Sequence, residues 1–378
     1  MKPPLNPLLA KLAGYMQEKA NAQRDAALRS GKPVYDFGIG DPREPTAPFI
    51  KEALKAAVPD VSQYPSIAGL PALRKAAAGY LQRRFGLQLD PDREVLPCAG
   101  AKEALFHLPL TALHPDRPLC WYPDPAYPVY ERAILFAGGT PRTYPLVEAR
   151  RFLPDLDAIS PADWKRTSLY FDCYPHNPTG AGAPRSHHEK LLALAREHGF
   201  LVVCDEPYVD LYVGEPPHSA LQISRENLIV VHSLSKRSGM TGYRSGFVAG
   251  DAEIVHWLKD SRANFGVAGP SFIQAAAVAA WNDDAHVAER RAIFARKREL
   301  LLRHLRKLGL RAAGEGAFYL WVHVPDGATS ESYAAKLAEK NILVVPGTSF
   351  GKAGQGYIRL AMVPTLADCE AACAAWPA

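Results

Sequence analysis

The sequence predicts an α/β fold built on a mainly parallel sheet, followed by a smaller α+β domain. Two observations carry this reading. Short apolar runs alternate with amphipathic helical segments from residue 71 to residue 236, and the texture changes after about residue 270.

Taken in order, "PALRKAAAGYLQRRFG" (71–86) reads as an amphipathic helix stopped by Gly86. "EVLPCAG" (94–100) reads as a strand running directly into the helix "AKEALFHLPLTAL". "LCWYPDPAYPVY" (119–130) is a strand and then a proline-punctuated loop, and "TSLYFDCYPHNPTG" (167–180) is a strand into a turn. "EKLLALAREHGF" (189–200) is a helix closed by Gly199. "LVVCDEPYVDLY" (201–212) and "NLIVVHSLSK" (227–236) begin as buried strands and end in charge. Beyond residue 270 a long helical stretch (272–308) leads to "GAFYLWVHV" (316–324), a helix near 331–340, then "ILVVPG" and "GYIRLAMV". The expected division is 1–45 as an N-terminal arm and part of the small domain, 46–270 as the large domain, and 271–378 as the small one.

Composition excludes some classes. At 378 residues, 48% hydrophobic and 22% charged, the chain can bury a sizeable core and does not read as disordered. The net charge of +5 is mild. Basic residues cluster at "RKRELLLRHLRK" (296–307), where a leucine stripe at helical spacing makes them read as a solvated helix face rather than a nucleic-acid patch. No apolar run reaches the ~18 residues of a membrane span, and the first residues lack a secretory h-region. Cys98, Cys120, Cys173, Cys204, Cys369 and Cys373 are scattered in apolar surroundings, as suits reduced thiols in a cytoplasm. No metal set is expected: Cys369 and Cys373 lack further ligands, and the adjacent histidines of "SHHEK" (186–190) read as solvated polar residues. "GTSFGKAG" (347–354) falls short of a phosphate loop by one residue and by Ala353.

In a parallel α/β sheet, functional side chains gather beyond the C-terminal ends of the strands. There this chain puts the helix-start amides of "CAGAKEA", Asn177 of "HNPTG", Asp205 and Tyr208 of "CDEPY", and Ser233, Ser235 and Lys236 of "HSLSK". Arg244 follows eight positions later. A lysine at the inner end of an apolar strand is costly as a free ammonium, whereas a desolvated lysine suits Schiff-base chemistry. Singly, each residue has an ordinary explanation: an aspartate after a strand caps helices, and "HNPTG" makes turns. Their order and spacing together match pyridoxal phosphate, which needs a lysine, a carboxylate for its ring nitrogen, and amides, hydroxyls and an arginine for its phosphate.

On these motifs the chain resembles, over nearly its whole length, the class I aminotransferases of the pyridoxal-phosphate fold type I family. The resemblance implies a seven-stranded, mainly parallel sheet flanked by helices. It implies that Lys236 forms the Schiff base and shuttles the proton, that Asp205 pairs with the ring nitrogen, and that Tyr208 and Asn177 bond the ring oxygen. It further implies that Tyr127 stacks on the ring, and that Gly100, Ala101 and Lys102 hold the phosphate with Ser233, Ser235 and Arg244. Arg359 of "GYIRLAMV" would fork the substrate α-carboxylate, beside Gly40 of "FGIGDP". Tyr64 of "SQYPSIAGL" resembles a tyrosine that reaches the phosphate of a partner subunit, implying a homodimer with shared sites. Ser245 departs from the family pattern, which prefers an aliphatic residue there. Finer resemblance, in "SLSKRSGMTGYRSGFVAGDAE" and "AFYLWVHVPDG" among others, points to succinyldiaminopimelate aminotransferases with 2-oxoglutarate as acceptor. Aspartate, free diaminopimelate or another amino acid is the alternative donor. A carbon–sulfur lyase on the same scaffold is a more distant reading.

Overall fold

The computed structural model describes residues 6–8, 24–25, 27–29 and 31–377, so much of the expected N-terminal arm lies outside the described residues. The central sheet has seven strands: β1 (Val95–Cys98), β2 (Leu119–Asp124), β3 (Thr140–Pro145), β4 (Thr167–Asp172), β5 (Leu201–Asp205), β6 (Leu228–Ser233) and β7 (Gly246–Gly250). Their spatial order is β1-β7-β6-β5-β4-β2-β3. Only β7 runs antiparallel to its neighbours, and β6, β5, β4, β2 and β3 pair in parallel. Strands β4, β5 and β6 are buried along their whole length, as continuous apolar runs covered on both faces must be.

Helices enter and leave this sheet where local chemistry dictates. The helix α1 (Ala101–Ala112) starts two residues after β1 ends. The helix α2 (Arg185–His198) ends at Gly199, whose φ of 65° turns the chain left-handed and feeds β5. The expected long helix after residue 270 is two helices, Ser271–Trp281 and α3 (Ala285–Lys307). The first of these packs against Pro48–Ala56 and Pro71–Phe85, within the segment expected to form the large domain. The basic run on α3 is not uniformly a solvated face, which corrects the sequence reading. Lys297 and Arg298 are buried; Lys297 donates to Glu44 and to the Met362 carbonyl, and Arg298 donates to the Gly316 and Ala317 carbonyls. Counting leucines cannot reveal this, because the acceptors, the Glu44 carboxylate and three backbone carbonyls, are brought from elsewhere in the chain.

A second, four-stranded sheet holds β8 (Ala312–Ala313), β9 (Tyr319–His323), β10 (Val345–Pro346) and β11 (Tyr357–Ala361), in the order β10-β11-β9-β8. Residues 35–36 form a separate two-stranded parallel pair with 342–343, which Phe37 joins to β11. Tyr35 pairs with Ile342, Phe37 donates to the Leu343 carbonyl, and Ala361 donates to the Phe37 carbonyl. This carries Gly38, Gly40 and Arg359 to the open ends of β5 and β6. No helix among the described residues is long and apolar enough to cross a membrane.

Candidate active site

A cleft of about 470 Å³ opens where the C-terminal ends of β5 and β6, the start of α1 and the four-stranded sheet meet. Of the fourteen residues singled out from sequence, twelve line it: Gly40, Ala101, Lys102, Tyr127, Asn177, Asp205, Tyr208, Ser233, Ser235, Lys236, Arg244 and Arg359. Gly100 sits just behind, at the start of α1. Tyr64 does not enter this chain's cleft; its side chain is fully exposed.

Lys236 lies on the single helical turn Leu234–Arg237 that β6 runs into, capped by the Ser233 hydroxyl accepting from the Ser235 amide at 3.1 Å. Its Nζ donates to the Gly40 carbonyl and lies 5.7 Å from the centre of the Phe318 ring. Burial, reinforced by the Arg359 and Arg244 cations and opposed by Asp41, lowers its pKa to about 8.

Asp205, the last residue of β5, is buried. Its Oδ2 accepts from the Tyr130 hydroxyl at 2.7 Å, while its buried Oδ1 has no hydrogen-bond partner among the described residues. Burial raises this carboxyl to about 7, against the Tyr130 hydrogen bond that lowers it. A buried carboxylate with one bare oxygen costs free energy unless a donor arrives. The protonated ring nitrogen of pyridoxal phosphate is such a donor.

Arg359 is buried against two rings, its guanidinium carbon 4.6 Å from the centres of both Tyr319 and Phe350. It donates to Asn177 Oδ1 at 3.0 Å and to the Gly38 carbonyl at 2.6 Å, both neutral acceptors. Its Nε has no partner. A cation fixed by neutral groups retains its charge for an incoming carboxylate. The hydroxyls of Tyr208 and Tyr319 lie 3.1 Å apart, and burial raises the Tyr208 pKa well above the ordinary range.

At the phosphate end, Arg244 adopts a left-handed φ of 53° and donates to the Thr241 carbonyl at 2.9 Å. Its guanidinium crosses directly over Gly100: a Cβ there would lie 2.6 Å from Nη2, so only glycine lets the arginine and the start of α1 share that space. With the Ser233 and Ser235 hydroxyls these groups gather donors at one corner of the cleft, a set suited to an anion. The bare Asp205 oxygen, the desolvated Lys236 amine and this corner fit pyridoxal phosphate.

Sequence reasoning missed Tyr130 and Tyr319, which hold Asp205 and Tyr208. Tyr130 is three positions beyond Tyr127, a residue it found, whereas Tyr319 opens the apolar run of β9 far in sequence from any of them and carries no local signal. Ser245, the departure from pattern, is buried, and its carbonyl accepts from the Leu234 amide at 3.1 Å, so the role it plays there is made by backbone. The Asn177–Pro178 peptide is cis.

A fold of this topology with a lysine, a buried carboxylate and an arginine in one cleft defines the pyridoxal-phosphate aminotransferase class. The sequence profile of class I and II aminotransferases matches residues 32–375, and the chain belongs to that family. It is 38% identical to an LL-diaminopimelate aminotransferase of Oleidesulfovibrio alaskensis, over 94% of this chain and 93% of the relative. The substrate-bound BacF structure from Bacillus subtilis superposes with a TM-score of 0.95 at 28% identity, covering 99% and 97% of the two chains. A probable N-succinyldiaminopimelate aminotransferase from Thermus thermophilus gives 0.88 at 28% identity, covering 96% and 99%. The protein is thus a pyridoxal-phosphate-dependent aminotransferase, moving an amino group from an amino acid to a 2-oxo acid.

Proposed function

We propose that this aminotransferase acts on LL-diaminopimelate, with 2-oxoglutarate as the partner 2-oxo acid, in lysine and diaminopimelate biosynthesis. The observation that carries the site assignment is the meeting, in one cleft, of the Lys236 amine, the bare Asp205 oxygen and the Arg359 fork. The diaminopimelate donor is supported by the relatives at 36–39% identity along the chain, which bear that name. They favour the free diaminopimelate reading over the succinylated one that finer motif resemblance suggested.

Bound pyridoxal phosphate supplies an aldehyde for an amine to capture and a protonated ring that withdraws electrons from the substrate α-carbon. The chain's own residues do the rest. The Lys236 amine would hold the cofactor and, when free, would take the proton from the substrate Cα. Asp205 would keep the ring nitrogen protonated. Tyr208 and Asn177 would donate to the ring oxygen, and Tyr127 would lie against the ring. Gly100, Ala101, Lys102, Ser233, Ser235 and Arg244 would hold the phosphate, with Tyr64 supplied by the partner of a homodimer. Arg359 grips the α-carboxylate beside Gly40, which orients the Cα–H bond for transfer.

Two measurements test this reading. Hydrogen bonds to charged groups are worth about 1.5–3 kcal/mol, so Arg359→Ala lowers kcat/KM for the amino donor at least about tenfold. Arg359→Lys recovers little, because a point charge cannot reproduce the fork. An unchanged kcat/KM in the alanine variant removes Arg359 from the substrate. For the donor itself, steady-state kinetics with 2-oxoglutarate compare LL-diaminopimelate, its N-succinyl derivative and aspartate. The expected order puts LL-diaminopimelate first in kcat/KM; a tenfold preference for either competitor overturns the assignment.

A further inference from the structure

The adjacent histidines His187 and His188, expected on sequence grounds to be solvated, are both buried in the first turns of α2. They converge on Asp172, the fully buried last residue of β4. We infer that Asp172, His187 and His188 form a metal site, separate from the cofactor cleft, that takes a divalent transition-metal ion, zinc by its ligand set.

Three imidazole and carboxylate donors are the commonest protein set around a zinc ion that keeps a fourth position for water. Here one ligand atom from each residue lies within 4.8 Å of the other two. His187 Nε2 is 3.2 Å from each Asp172 oxygen and His188 Nε2 is 3.0 Å from Oδ2. A tetrahedral zinc with bonds of about 2.0–2.2 Å needs ligand atoms about 3.3–3.5 Å apart, so shifts of a few tenths of an ångström bring the two Asp172–histidine sides to that size, and the two histidine nitrogens lie within 4.8 Å of each other. All three residues stand on a strand or a helix, which hold a site more firmly than loops do.

The outer partner is also in place. His188 Nδ1 lies 2.8 Å from His218 Nε2. With His188 Nε2 on the metal, its Nδ1–H donates to His218, as the far nitrogen of a ligating histidine almost always donates to a neighbour. One of the three ligands also borders a cavity at the surface. His188 and His218 both face a surface cavity of about 380 Å³, lined also by Tyr174, Pro175 and Glu315. The ion would clamp the end of β4 to the start of α2. The segment between them carries Asn177, so the clamp would brace the loop that reaches the cleft.

The test is zinc titration of the cofactor-loaded protein after chelator treatment, read by metal analysis and by the visible d–d bands of cobalt placed in the same site. One ion per chain is expected, with tetrahedral cobalt bands. The His187→Gln/His188→Gln double variant should bind at least about a hundredfold more weakly, and His218→Ala about 10–100-fold more weakly. Circular dichroism and cofactor content check the fold of each variant. If wild type retains no more zinc than the folded double variant, the three residues are a hydrogen-bonded cluster and the inference fails. Should the double variant not fold, absence of cobalt bands in wild type overturns it equally.

Discussion

Lys236→Ala abolishes turnover: kcat falls by at least the roughly 10²–10⁴-fold that positioned proton transfer supplies. The amine is asked to do two things, to capture the cofactor's aldehyde and to carry the α-proton, and both need a neutral nitrogen. Arginine cannot serve because it does not deprotonate, so Lys236→Arg is expected to be as inactive as the alanine variant. Borohydride reduction of the loaded wild type followed by peptide mapping should leave the pyridoxyl label on residue 236. A label on another lysine, or full activity in either variant, ends the assignment. The loss is kinetic rather than structural, since among the described residues the one hydrogen bond Lys236 donates is to the Gly40 carbonyl.

The same lysine sets a pH dependence. Burial brings its pKa down to about 8, so the neutral, nucleophilic form grows as pH rises and dominates above about 8. The rate at which the cofactor-free protein captures pyridoxal phosphate should rise up to about pH 8 and then level off. An ordinary lysine would keep gaining toward its unperturbed pKa of about 10.4. The check is the capture rate from pH 6 to 10, with a small-molecule amine as control for the aldehyde's own titration.

Much of the cleft was legible in the sequence because its parts sit at strand ends, and strand ends are marked by where apolar runs stop. Asp205, Ser233 and Lys236 follow directly from that rule, and Asn177 lies a few residues further on. Arg359 was legible only through resemblance, because a charged residue inside β11 carries no local mark of the rings of Tyr319 and Phe350 that lie against it. The buried histidine pair was misread for a related reason. Two adjacent helical positions point about 100° apart, and nothing local says that Asp172 lies where both rings can reach it. Strand β7 and the break between Ser271–Trp281 and α3 were missed: "GFVAG" is glycine-rich and short, and the two residues before Ala285 carry no proline or glycine. Long-range partners, not composition, decided each of these.

Asp205→Asn should cost nearly as much as loss of the lysine. The carboxylate is buried and, among the described residues, is answered by the Tyr130 hydroxyl on one oxygen alone. Free, it sits near neutral, with a pKa raised by burial to about 7. A protonated ring nitrogen beside the bare oxygen would restore its charge, each ion holding the other in its charged state. Asparagine keeps the size and the Tyr130 contact and lacks the charge. Breaking a buried pair by removing one partner costs about 3–5 kcal/mol, which corresponds to a fall in kcat of about 10²–10⁴-fold. The ring then loses its proton, and the cost appears at the Cα–H step more than in donor affinity. A large primary isotope effect with α-deuterated donor should therefore emerge in the variant. Tyr130→Phe supplies the contrast: it removes one neutral donor and leaves the charge, so its loss should stay within about tenfold. If Asp205→Asn is no worse than Tyr130→Phe, the carboxylate is a structural acceptor for that tyrosine and the ring nitrogen must find its partner elsewhere.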